Sequence, residues 1–203
     1  MATPDLSALL TTAGIDLEAA LALYYPGTPG VDGRNLKERN LTAYFTKALF
    51  AENFTVYHEA ILSAAEPRKA LDLLALSPDR TFLIKAEAKR LIAKGSLDSV
   101  RSDVGKLKVF EPLPEHEKQL PKDSYSVLLF SCWCVKEDRF PEKWKGEHLP
   151  GYKSAWSGFI DELRGDGYIL DGRLLMTEHE EGRKDQNLWF LWAFKHDAQQ
   201  TGV

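Results

Sequence analysis

Asp72 lies inside an apolar run, flanked by Leu71, Leu73 and Leu74. A carboxylate there is costly to desolvate unless a cation or a hydrogen-bond donor meets it. Further along comes Glu87-Ala88-Lys89. Strand alternation across 81–89 sets Leu83, Lys85, Glu87 and Lys89 on one face and Phe82, Ile84, Ala86 and Ala88 on the other. Glu38 raises the same question on a helix. It precedes Leu41 by three positions and Phe45 by seven, a spacing that turns it toward the apolar face. Three carboxylates thus point at a packed interior or a cleft. A divalent cation would neutralise all of them, and hard oxygen donors suit Mg²⁺. The plainer alternative is an amphipathic strand showing Lys85, Glu87 and Lys89 to solvent. It accounts for those three and leaves Asp72 unexplained.

The elements that must position these groups can be read from periodicity. Over 35–50 the apolar residues Leu41, Tyr44, Phe45, Ala48 and Leu49 fall at i, i+3, i+4, i+7 and i+8, which predicts an amphipathic helix. Three β-type segments follow at 54–59, 70–76 and 81–89. Ser77-Pro78-Asp79-Arg80 is turn chemistry, so the second and third should pair as a hairpin. Leu97, Val100, Val104 and Leu107 mark the next helix, and 111–123, with three Pro, reads as a loop. Residues 125–135 are apolar on both faces, as a buried central strand would be. A loop rich in Pro, Lys and Trp leads to a helix over 152–164, and 173–178 with 188–195 reads as a closing hairpin. Ahead of all this, 6–23 reads as one or two short helices broken near Gly14, followed by a Pro- and Gly-rich loop. The order gives an α/β sandwich around a mixed sheet.

Glu38 on a helix, Asp72 in the second strand and Glu87-Ala88-Lys89 in the third resemble the signature of the PD-(D/E)xK nuclease superfamily, the restriction-endonuclease-like fold. The helix–strand–strand–strand–helix–strand order of 35–135 is similar to that family's core; Leu71 stands where its motif often has Pro. The resemblance implies a single-domain, three-layer sandwich with a mixed central sheet flanked by helices. Residues 35–135 would be the nuclease-like core, 1–34 an N-terminal helical extension, and 136–203 additions that include a C-terminal β-hairpin. It also implies Mg²⁺-dependent phosphodiester hydrolysis, in DNA before RNA, with Mn²⁺ substituting. By that resemblance Asp72, Glu87 and the Ala88 backbone carbonyl bind the metal and Glu38 completes the site. Lys89 orients or activates the attacking water and stabilises charge at phosphorus. A homodimer would let two sites cut both strands. The rival expectation is a catalytically inactive module of the same fold that binds nucleic acid or a protein.

Composition sets the outer limits. The chain has 203 residues, 44% of them apolar, and 26 basic against 30 acidic side chains give a net charge of −4. That balance argues mildly against a protein coated in nucleic acid. Basic residues are nevertheless concentrated between Lys85 and Lys108. Lys85 could touch a phosphate neighbouring the site, and Arg90, Lys94, Arg101 and Lys106 could track a nucleic-acid backbone by charge alone; each has the plainer alternative of a solvated charge or a local ion pair. Cys132 and Cys134 are too few for a disulfide framework and are expected in the core, which suits a reducing, cytoplasmic setting. Among the five His only His58, just ahead of the hairpin, is placed to approach the cleft, and Trp144 and Trp156 could stack on bases. Asp16 and Glu18 interrupt the early apolar run, so neither a signal peptide nor a membrane span is expected.

Overall fold

The computed structural model describes residues 5–24, 36–61, 70–91, 96–108, 123–135, 138–149, 156–179 and 184–197, together with Pro121, Gly151 and Ser154. Among these residues five helices and six strands form an α/β sandwich. In chain order they are α1 (Leu6–Tyr24), α2 (Glu38–Ala51), β1 (Thr55–Ile61), β2 (Ala70–Leu76), β3 (Phe82–Leu91), α3 (Ser96–Lys108), β4 (Asp123–Val135), α4 (Phe140–Lys145), α5 (Ser157–Gly165), β5 (Ile169–Glu178) and β6 (Gln186–Asp197). The sheet runs β1-β2-β3-β4-β6-β5 and is mixed: β3 and β4 are parallel, and every other neighbouring pair is antiparallel. A parallel pair needs a crossover, and α3 supplies it. One face of the sheet packs on α1 and α2, the other on α3, α4 and α5.

Helix α2 forms where the apolar spacing requires it, burying Leu41, Phe45, Ala48 and Leu49. Leu41, Phe45 and Leu49 each contribute roughly 1.5–3 kcal/mol on full burial. The helix stops at Asn53, whose φ of 62° lies in the left-handed region. Asn53 N–H donates to Phe50 O and Phe54 N–H to Leu49 O, the paired bonds of a Schellman ending. That ending turns the chain directly into β1. The β2–β3 hairpin closes through its turn chemistry: Ser77 Oγ and Asp79 Oδ1 accept the Thr81 N–H, and Ser77 N–H donates to Phe82 O. Strand β4 is buried on both faces from Val127 to Phe130, as its apolar run predicts.

Three features differ from the expectations. Helix α1 is continuous through Gly14, because Gly14 lets the helix lie close on the sheet: a Cβ there would sit 3.2 Å from Phe190 Cδ1 and 3.3 Å from Arg173 Cδ. Residues 6–23, at a mean hydropathy of 1.5, are long and apolar enough to cross a membrane by length and composition. Here that helix sets Leu6, Leu10, Ala13, Leu17 and Leu21 into the core. The segment before α5 holds the short helix α4, begun by Pro141 and ended at Gly146, φ 101°. Its Trp144 is fully buried and donates its indole N–H to Asp171 O and Trp192 O, so it anchors core and stacks on no base. Trp156 likewise packs edge-on against Phe140 and Phe159. Cys132 and Cys134 are buried free thiols.

Candidate active site

The alternation of β3 holds, but both of its faces are covered. Ile84, Ala86 and Ala88 enter the core under α1 and α2. Lys85, Glu87 and Lys89 turn to the opposite face, toward the layer that holds α3. Lys85 is 7% and Glu87 3% exposed, so the solvated amphipathic strand is ruled out for these two.

Strand pairing brings Asp72 to Glu87. The β2–β3 register runs to Leu73↔Ala86, one position short of the two acids. Asp72 Oδ2 accepts the Ala88 N–H at 2.7 Å, which anchors its carboxylate to the third strand. Its side chain also hydrogen-bonds Glu87. Burial first, then the Asp72 charge, push the Glu87 carboxyl up to about 8, against the pull of Lys106; the Asp103 charge and the Asp72 hydrogen bond add to the rise. Glu87 therefore holds its proton at neutral pH.

Helix α3 completes the cluster. Asp103, nearly buried, holds a lysine on each oxygen. Lys106 Nζ lies 2.8 Å from Oδ1, and Lys89 Nζ lies 3.2 Å from Oδ2 at an ion-pair distance without hydrogen-bond alignment. Lys106 Nζ also reaches Glu87 Oε1 at 3.4 Å. Burial opposes the Lys106 ammonium, but the Asp103 hydrogen bond and the charges of Glu87 and Asp103 outweigh it and hold its pKa above the ordinary lysine value. Glu87, Lys106, Asp103 and Lys89 thus form one connected chain in which acids and lysines alternate.

Glu38 stands elsewhere. As the first residue of α2 it accepts the Arg90 N–H on Oε1 at 3.1 Å, tying the helix start to the end of β3. It lines a cleft of about 810 Å³ that Asp72, His58, Glu59 and Arg90 also line. Asp72 is the residue common to cleft and cluster. His58 is held there by Thr46 Oγ1 at 3.1 Å, and Glu59 takes a left-handed φ of 51°, a conformation uncommon for a non-glycine residue. Among the described residues no three His, Cys, Asp or Glu converge as a metal-binding group. Glu38, expected as the third ligand, shares the cleft with Asp72 while its Oε1 accepts the Arg90 N–H.

The expected phosphate contacts divide. Arg90 lines the cleft. Lys85 is withdrawn from solvent: its Nζ donates to Leu107 O at 3.1 Å and pairs with Asp197 Oδ2 at 2.9 Å, a buried ion pair in place of a phosphate contact. Lys106 belongs to the carboxylate cluster. Arg101 makes a two-point contact with Glu162 of α5, at 2.8 and 3.2 Å. Lys94 lies outside the described residues. Asp103 was missed although its spacing carried a signal: it stands three residues after Val100 and four before Leu107, on the apolar stripe of α3. No family model, curated protein or solved structure matches the chain.

Proposed function

We propose that this chain is a divalent-metal-dependent nuclease of the PD-(D/E)xK type, with the restriction-endonuclease-like sandwich as its fold and DNA as its substrate. The observation that carries the reading is the Asp72–Glu87 pair: two carboxylates in contact on neighbouring strands, beside Lys89, and open to a cleft through Asp72. Two like charges forced together are stable only with a proton or a cation between them. The pair fits Mg²⁺ or Mn²⁺, since Mg²⁺ is commonly held by one or two carboxylates with waters and substrate phosphates completing its shell. When bound, the cation supplies Lewis-acid polarisation of a phosphate oxygen and a water of lowered pKa.

The chain's own groups do the rest. Asp72, anchored by the Ala88 N–H, fixes the position of the pair, and Asp72 and Glu87 together would hold the cation. Lys89, restrained by Asp103, presents a compact ammonium to the attacking water or to the oxygen on which charge develops. Glu38 is a positioning residue that holds the end of β3.

The test is cleavage of plasmid, single-stranded DNA and RNA in Mg²⁺, Mn²⁺ or EDTA. Cutting is expected with either metal and not in EDTA. Lys89→Ala should keep fold and metal binding, because Asp103 retains Lys106 at 2.8 Å, yet cut about a hundredfold more slowly or worse. Cutting that persists in EDTA, or a parental rate in Lys89→Ala, would sink the reading. Inactivity on every substrate would leave the non-catalytic binding module in its place.

A further inference from the structure

We propose that Lys106 is a resident counter-cation of the Asp72–Glu87 pair, which a divalent metal must displace before it can bind. The inference rests on the metal-site reading above and adds to it a competitor built into the chain.

Three observations carry it. Lys106 Nζ stands 3.4 Å from Glu87 Oε1, and Glu87 is only 3% exposed, so few groups can approach that carboxylate and one of them is already a cation. A doubly charged ion on the same carboxylate would face the ammonium at a few ångströms inside a poorly solvated site, and the repulsion opposes their sharing one oxygen. Lys106 also has somewhere to go. Its shorter contact, 2.8 Å, is to Asp103 on its own helix, and its side chain is 28% exposed. It can therefore release Glu87 while remaining paired with Asp103. Asp103 then serves as a pivot, holding Lys89 on one oxygen and receiving Lys106 on the other. In the metal-free protein Lys106 keeps the acidic pair from being left uncompensated; in the loaded protein it stands aside.

Calorimetric titration of Mn²⁺ into the full chain without nucleic acid tests this. Lys106→Met should bind Mn²⁺ at least about tenfold more tightly than the parent, equivalent to about 1.4 kcal/mol. Lys108→Met removes a charge two residues away that pairs with Asp166 and should leave affinity unchanged. Asp72→Asn should abolish binding. If Lys106→Met binds no more tightly while Asp72→Asn still abolishes binding, the metal site stands and the displacement is overturned. Equal tightening by Lys108→Met would also overturn it, as a general field effect. If neither parent nor Lys106→Met binds Mn²⁺, the metal-site reading fails and this inference falls with it. Should Lys106→Met not fold, lysine acetylation of the parent read by mass spectrometry decides: Lys106 reactivity must rise when Mn²⁺ is added, and an unchanged reactivity overturns the proposal.

Discussion

At the scale of single residues, Glu87 gives the sharpest consequence. Its carboxyl is raised from 4.5 to about 8 by burial and by Asp72, so the folded state holds a proton that the unfolded chain releases at lower pH. The stability contributed by that proton is full below about pH 4.5. It declines as pH rises and is gone above about 8. In EDTA, melting temperatures across that window should therefore fall with rising pH. Asp72→Asn removes the neighbouring charge but keeps an oxygen to accept the Ala88 N–H. It should flatten the decline and leave the protein at least as stable at pH 8. A slope unchanged by Asp72→Asn would mean that burial alone holds the Glu87 proton, and a slope that survives Glu87→Gln would mean that another group carries it. An unfolded Asp72→Asn would make Asp72 a structural anion.

At the scale of elements, Lys85 joins three of them: it sits on β3, donates to the last turn of α3 and pairs with Asp197 on β6. Lys85→Met should lower stability by about 3 kcal/mol, the lower end of the cost of leaving one member of a buried pair, because Asp197 keeps Ser126 and Lys195 as partners. Chemical denaturation measures this. The salt dependence of nucleic-acid binding should not change; a stable Lys85→Met with weakened binding would restore the phosphate contact.

The alternation of β3 was legible in the sequence and correctly placed Lys85, Glu87 and Lys89 on one face. That α3 would cover that face was not, because burial there depends on packing across residues far apart in the chain. Helix α2, the β2–β3 hairpin and buried β4 were legible for a related reason: each is written in local period or turn chemistry. Gly14 misled, since its low helix propensity was outweighed by the close approach to Phe190 that only a missing side chain permits. Helix α4 is too short for a period to show, and what fixes it is Trp144 reaching Asp171 and Trp192. Glu38 was read inside a helix over 35–50 and turned toward its apolar face; it begins α2, and its partner, a backbone N–H of β3, leaves no trace in residue type.

At the scale of the whole molecule, described segments before and after residues 35–135 share its sheet and its apolar core. Strand β6 lies between β4 and β5 and pairs with β4 along its length. Leu10, Ala13 and Leu17 of α1 share one apolar cluster with Phe45, Ala86, Phe190 and Trp192. A fragment of residues 35–135 would expose an open edge of β4 and lose that cover. It should be unfolded or aggregated by circular dichroism and gel filtration, and a monomeric, cooperatively melting fragment would restore the smaller core.

The placement of β6 also orders events in time. The β2–β3 hairpin, with Asp72 and Glu87, can form as soon as those residues leave the ribosome, since its contacts are local. Lys85 then waits for Asp197, and β4 waits along its whole length for a partner that begins at Gln186. Pairings so distant in sequence form slowly and late. The acidic pair is therefore written early in synthesis, yet the framework that fixes it is closed only when residues near 197 arrive, so the two carboxylates meet well before their final surroundings do.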